Sequence, residues 1–414
     1  MESISQRRKL TLYRKANSHM NTKLPGREEI LDRIERLKTA LAREHLDGAL
    51  IVQKVDLYYF SGTDQDAHLW VPASGEPVLL LRKSLERAHA DALLDNIIPI
   101  VSLRDLPDHL NTASGRPRRV GLELDVLPAA LYLQYTSLLR DMEFVDASHI
   151  VRKLRMIKSE YEISRMRKAA VLADRLFEKI PGFIRESANE TELAIRAEEF
   201  YRRNGHPGIS RTRAFNMESI YGHIMAGPGG AEPSGTVGPT GGVGLGPWFS
   251  QGAGWTPIRP GEPIMVDYTA CADGYLADQA RVYSVGPLPE HMNRAHAVMV
   301  EVQDFVADAG RAGVPVRCLY EKALGIVKGA GLLDGFMGSP QPVPFLGHGV
   351  GLELDEWPVI MGQTELVLEE GMTVAIEPKV IFPGKGVVGV ENTFAVGPHG
   401  MKRLNAFPDD LVVL

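Results

Sequence analysis

The chain has 414 residues, 44% hydrophobic and 24% charged, with a formal net charge of -6. It is long enough to bury cores in two globular domains, and it lacks the basic excess that would partner nucleic acid or an anionic membrane surface. No apolar run approaches the roughly 18 residues that span a bilayer, and with only Cys271 and Cys318 there is neither a disulfide framework nor a cysteine-based metal site, so a soluble, cytoplasmic protein is expected.

Residues 1–23 hold six Lys or Arg against one Glu, without the apolar core of a secretory signal, and read as a basic extension or as residues upstream of a start at Met20. From Arg27 onward Ile30, Ile34, Leu37 and Leu41 recur at helical spacing, with Gly48 as the expected stop before an apolar strand at 49–53. Further strands are expected at 55–60, 77–81, 97–101 and 120–124, and helices near 84–94 and 128–139. This alternation predicts an α/β domain over 24–154.

A second domain is expected over 155–414. Ser159 and Glu162 form a capping-box signature, and Ile163, Met166, Ala170, Ala173 and Phe177 give the apolar stripe of a long helix that Pro181 should end. A second capped helix starts at Asn189 with Glu192, and a third follows Pro289 as far as Gly310. Between them, residues 227–261 hold 12 Gly and 6 Pro, a composition that blocks regular structure. With Trp248, Phe249 and Trp255 available to pack, this predicts an ordered loop bordering a site.

The stretch 262–286 reads as a β-hairpin turning at Asp273-Gly274. That turn places Asp267 opposite Ala280 and Asp278 opposite Thr269, so the two acids are diagonal neighbours on one face, an arrangement that calls for a cation between them. Three more groups stand among glycines and strands: His348 in FLGHGVGLELDEWP, Glu377 in VAIEPKVIF and Glu391 in VVGVENTFAV. A loop over 382–386 would place Glu377 directly opposite Glu391. Two Asp, one His and two Glu suit Mn, Co, Fe or Zn. Four converging carboxylates are cancelled by two divalent ions, which in such pairs lie ~3.5–4 Å apart and share a hydroxide nucleophile.

The order Asp, Asp eleven residues later, His in Gly-His-Gly-x-Gly-Leu, Glu before Pro and a final Glu resembles the pita-bread metallopeptidases, the group of aminopeptidase P, prolidase, methionine aminopeptidase and creatinase. The resemblance implies an α/β N-terminal domain of the creatinase/prolidase type followed by an α+β pita-bread catalytic domain. It also implies metal ligands at Asp267, Asp278, His348, Glu377 and Glu391, with Glu377 as general base and two divalent ions, Mn first and Co, Zn or Fe as alternatives. The implied activity is that of an Xaa-Pro peptidase on short peptides. The implied assembly is a homodimer in which one subunit's N-terminal domain, through residues such as His68 or Trp70, shapes the other's site.

The chain departs from that pattern where substrate is handled. Asp355 stands seven residues after His348 in place of a histidine, and becomes a candidate acid or base. Ser234, or Ser250 by another alignment, stands where a second histidine is normal, and none lies between His223 and His291. Gly389 replaces a common Arg, and Ala280 a common Thr. His223 and Trp248 are the substrate-binding candidates that remain. These losses keep open a non-peptide C-N hydrolase or lyase, with Asp355 as its base, and a metal-binding protein of little activity.

Overall fold

The computed structural model describes residues 24–217 and 220–414, and the basic stretch 1–23 lies outside them. Contacts divide the chain into two units between Arg155 and Met156.

In the first unit the helix Arg27–Arg43 buries Ile30, Ile34, Leu37 and Leu41 on one face, as their spacing requires. It ends at Arg43, and Gly48 opens strand β1 (Gly48–Ile51) instead of stopping the helix. The other strands are β2 (Ala67–Pro72), β3 (Val78–Leu81), β4 (Ile97–Pro99), β5 (Arg119–Leu122) and β6 (Glu143–Asp146), in one sheet of order β4-β3-β2-β1-β5-β6. Residues 55–60 are not a strand: Lys54–Ser61 is a helix. The Gln53 side chain accepts from the Asp56 N–H at its start, and Gly62, at φ 85°, closes it. Six of its eight residues are buried, which erases the polar face that would have marked a helix. His68 and Trp70 are spent on this unit's own core, His68 Nε2 lying 2.8 Å from the Tyr135 hydroxyl and Trp70 Nε1 donating to the Asn111 carbonyl at 2.7 Å.

The second unit begins with the helix Glu160–Phe177, capped by Ser159 and Glu162 in a reciprocal box. Pro181 lies in the first turn of the next helix, Ile180–Arg185, where its missing N–H costs nothing. The Asn189-capped helix Glu190–Arg203 and the helices Glu290–Ala309 and Val316–Gly329 complete the helical set that matters here. One sheet joins β7 (Gly222–Ala226), β8 (Pro263–Ala272), β9 (Tyr275–Ser284) and β17 (Val412–Val413), in the order β17-β9-β8-β7. A second joins β10 (Phe345–Gly349), β11 (Glu356–Met361), β12 (Thr373–Ile376), β15 (Asn392–Val396) and β16 (Met401–Arg403), in the order β11-β10-β12-β15-β16. Strands β13 (Lys379–Phe382) and β14 (Gly386–Gly389) form a separate hairpin.

Two registers fix the site. Along β8 and β9, Asp267 faces Ala280 and Thr269 faces Asp278, with Asp273 at φ 53° and Gly274 at φ 88° making the turn. In the other pair of strands, Ile376 faces Asn392 and Lys379 faces Gly389 in one unbroken register, so Glu377 and Glu391 lie across from each other between the two ladders. The mutual backbone bonds of Ala280 and Glu391, 3.2 Å each way, then stitch β9 to the segment carrying the last acid.

Candidate metal centre and hydrolytic site

The five expected ligand residues converge on one cavity of about 100 Å³. Asp267 and Asp278 reach it from the hairpin, His348 from β10, and Glu377 and Glu391 from the ends of β12 and β15. His348 Nδ1 lies 3.0 Å from the Gly349 carbonyl. A carbonyl only accepts, so Nδ1 carries the proton and Nε2 presents its lone pair to the acids. That Nε2 is 3.8 Å from Glu377 Oε1, 3.8 Å from Glu391 Oε1 and 4.0 Å from Asp278 Oδ2. These gaps are too long for hydrogen bonds. They are the roughly 3–4 Å separations of donors that share one ion at ordinary metal–ligand bond lengths. Asp278, His348 and Glu391 form the compact triad, with ligand atoms all within 4.8 Å of one another.

The acids are held from behind. Thr269 Oγ1 donates to Asp278 Oδ1 at 3.1 Å, and Thr393 Oγ1 accepts from the Asp278 N–H at 2.8 Å. Arg281, wholly buried, donates to the Glu391 carbonyl, the Asn392 side chain and the Phe407 and Pro408 carbonyls, and pairs with Asp409 at 2.9 Å. Burial, followed by the charge of Asp267, pushes the Asp278 carboxyl up to about 7. Burial alone would depress His348, but Asp355, Glu377 and Asp278 outweigh it and raise its pKa. Burial and its acidic neighbours also raise Glu391. Carboxylates buried this close together stay ionised only with cations beside them.

One residue that the two-ion expectation overlooked stands inside this cluster. Lys379, 2% exposed at its side chain, donates from Nζ to Asp267 Oδ2 at 3.0 Å, Glu377 Oε2 at 2.7 Å and Glu391 Oε2 at 2.8 Å. Those oxygens belong to three of the five residues assigned to two divalent ions. The donor set thus fits an ion beside His348 and does not fit a second one between Asp267 and Glu391. Lys379 was readable in principle: two residues beyond Glu377, it lies on the same face of the chain.

The remaining predicted residues divide. Asp355 lies on the cavity wall with Oδ1 3.6 Å from His348 Nδ1, on the side of the ring away from the acids. His223, on β7 directly across from Asp267, also lines the cavity, and its Nε2 is shielded from solvent with no hydrogen-bond partner. Burial lowers its pKa. Residues 236–240 and Gln251 of the Gly/Pro-rich segment form another wall, so that segment does border the site. Trp248 does not: it is 80% exposed, with its ring over Gly246, because a glycine there leaves a shelf for it to lie on. Ser234 and Ser250, the two positions considered for the missing histidine, are bonded to each other at 2.8 Å and lie outside the cavity lining.

Comparison with known proteins identifies both domains. Residues 164–398 match the model of metallopeptidase family M24, more than half the chain, and residues 33–157 match the creatinase/prolidase N-terminal domain. An Xaa-Pro dipeptidase of Pyrococcus furiosus is 27% identical over 381 residues, 92% of this chain and 99% of its own length. A probable dipeptidase, PepE, of Mycobacterium tuberculosis is 27% identical over 393 residues, 92% of this chain and 96% of its own. Among solved structures, the dipeptidase PepE from Mycobacterium ulcerans shares the fold, with a TM-score of 0.78 at 24% identity over 94% of this chain and 99% of that one. The prolidase from Pyrococcus furiosus superposes with a TM-score of 0.72 at 26% identity, covering 89% and 99%. The creatinase-type N-terminal domain followed by a pita-bread catalytic domain is therefore the architecture of this chain.

Proposed function

The chain belongs to metallopeptidase family M24, and from that premise we propose that it hydrolyses the bond before proline in short peptides, with a divalent ion held beside His348. The observation that carries the reading is the convergence of His348 Nε2, Asp278 Oδ2, Glu377 Oε1 and Glu391 Oε1 around one point of the cavity. Relatives named Xaa-Pro dipeptidase, aligned over 99% of their length, supply the substrate class. Three carboxylates and one imidazole favour Mn, with Co, Zn and Fe as alternatives.

Asp278, His348, Glu377 and Glu391 would hold the ion, whose presence would supply a Lewis acid for the scissile carbonyl and lower the pKa of the attacking water. Glu377 accepts the proton of the attacking water as the C–O bond forms, and returns it to the proline nitrogen as the C–N bond breaks. Lys379, bonded to Glu377 Oε2, orients that carboxylate so that Oε1 faces the cavity. His223 Nε2 is an unsatisfied polar group on the wall and is assigned to the substrate. Asp355 steadies the His348 ring from behind.

The small size of the cavity, about 100 Å³, favours a second reading in which a compact non-peptide C–N compound is cleaved at the same place. The two are separated by assaying the Mn-loaded chain against Xaa-Pro dipeptides, longer Xaa-Pro peptides, Xaa-Ala controls and small betaine-like or amidino compounds. Turnover confined to Xaa-Pro peptides is expected, whereas cleavage of the small compounds with no peptide turnover would replace the first reading by the second.

A further inference from the structure

We propose that the Lys379 ammonium is a built-in second cation, so that the centre holds one divalent ion per chain rather than two. The inference deepens the metal-dependent reading above and rests on it for the ion beside His348. An ammonium has three hydrogens to donate, and Lys379 spends them on three carboxylates at 2.7–3.0 Å. No donor is left over and no direction is open.

The two glutamates divide their oxygens between the two positions. Oε2 of Glu377 and of Glu391 bonds Lys379, while Oε1 of each faces His348 Nε2 at 3.8 Å. One lobe of the site is filled by a cation that belongs to the chain, and the other is spaced for an ion that does not. A divalent ion between Asp267 and Glu391 would require the same oxygens that Lys379 uses, at metal–ligand bonds about 0.5–1 Å shorter. It would have to expel the ammonium into a cavity whose surroundings hold it 2% exposed.

Charge and space agree. Asp267, Asp278, Glu377 and Glu391 with one ammonium and one divalent ion leave a single net negative charge, the charge two divalent ions would leave with a bound hydroxide. The side chain also has a prepared path. Lys379 is paired across the hairpin with Gly389, and a Cβ at that glycine would stand 2.8 Å from Lys379 Cγ and 2.4 Å from the Pro378 carbonyl oxygen. Any other residue at 389 would push the lysine stem out of its place.

The test counts ions. The metal-free full chain is titrated with Co(II), with bound ions read by elemental mass spectrometry after desalting and by the ligand-field absorption of the complex. The native chain is expected to saturate at one Co(II), and Lys379→Ala, which vacates the second lobe, at two. Native saturation at two ions, or at none, overturns the proposal, as does a folded Lys379→Ala chain that stops at one. If the alanine variant fails to fold, the native count decides alone. A native chain that binds one Co(II) but cleaves no peptide counts against the peptidase reading and leaves the lysine assignment standing.

Discussion

Asp355 shows how one substitution is absorbed at the residue scale. Its backbone is left-handed, φ 61°, a conformation that aspartate tolerates and most residues avoid. It brings the carboxylate to 3.6 Å from His348 Nδ1, whose proton already meets the Gly349 carbonyl. In the proposed centre such a carboxylate would make the imidazole a more basic ligand without itself binding the ion. Asp355→Asn keeps the backbone tolerance and removes the charge, and is expected to weaken Co(II) binding about 10-fold. An unchanged affinity in the same titration would leave Asp355 without a part in the centre. The gathering of Asp267, Asp278, His348, Glu377 and Glu391 on one cavity was legible because each sits in a short, distinctive context. Lys379 was not singled out because a lone lysine in a strand is usually solvated, and its burial depends on the absent side chain at Gly389 across the hairpin.

At the scale of elements, the hairpin of β8 and β9 carries the first two acids, and its register depends on two residues. Asp273 and Gly274 both have positive φ, the requirement of a tight two-residue turn whose twist matches the strands. The Asp273 carboxylate is also pinned by Arg165 at 3.1 Å and Lys168 at 3.0 Å. Gly274→Ala, at φ 88°, is expected to lower stability by about 1 kcal/mol, read as a shift in the denaturant midpoint. No shift would mean that the turn does not hold the register. Both site registers were legible in the sequence, since turn chemistry and two-residue periodicity are local. The helix Lys54–Ser61 was not, because burial on nearly all sides hides a helical period and leaves an apolar run that reads as a strand. Strand β7, which delivers His223 opposite Asp267, went unseen because its partner lies across the long Gly/Pro-rich segment.

Across the whole molecule, acid is the expected weakness. Burial holds His68 in the first unit and His206 in the second to about 4. The unfolded chain, with histidines near about 6.5, binds more protons between about pH 6.5 and 4. The two rings therefore contribute stability that is full above that window and is lost as pH falls through it, by at most ~1.4 kcal/mol per ring per pH unit. Denaturant unfolding between about pH 6 and 5 should show a shallower loss for His68→Gln than for the native chain, and equal slopes would remove His68 from the explanation. The pairing of a creatinase-type N-terminal domain with a family M24 catalytic domain was legible in the order and context of five residues. The place of the Lys379 nitrogen among three of those carboxylates was not, because it depends on packing across the hairpin of β13 and β14. The decisive measurement is hydrolysis of an Xaa-Pro dipeptide by the chelator-stripped chain as Mn(II) is returned stepwise. Turnover should be absent at first, rise to a plateau at one ion per chain, and vanish in Glu377→Gln; undiminished turnover in the stripped chain, or a plateau reached only at two ions, would contradict the single-ion hydrolase described above.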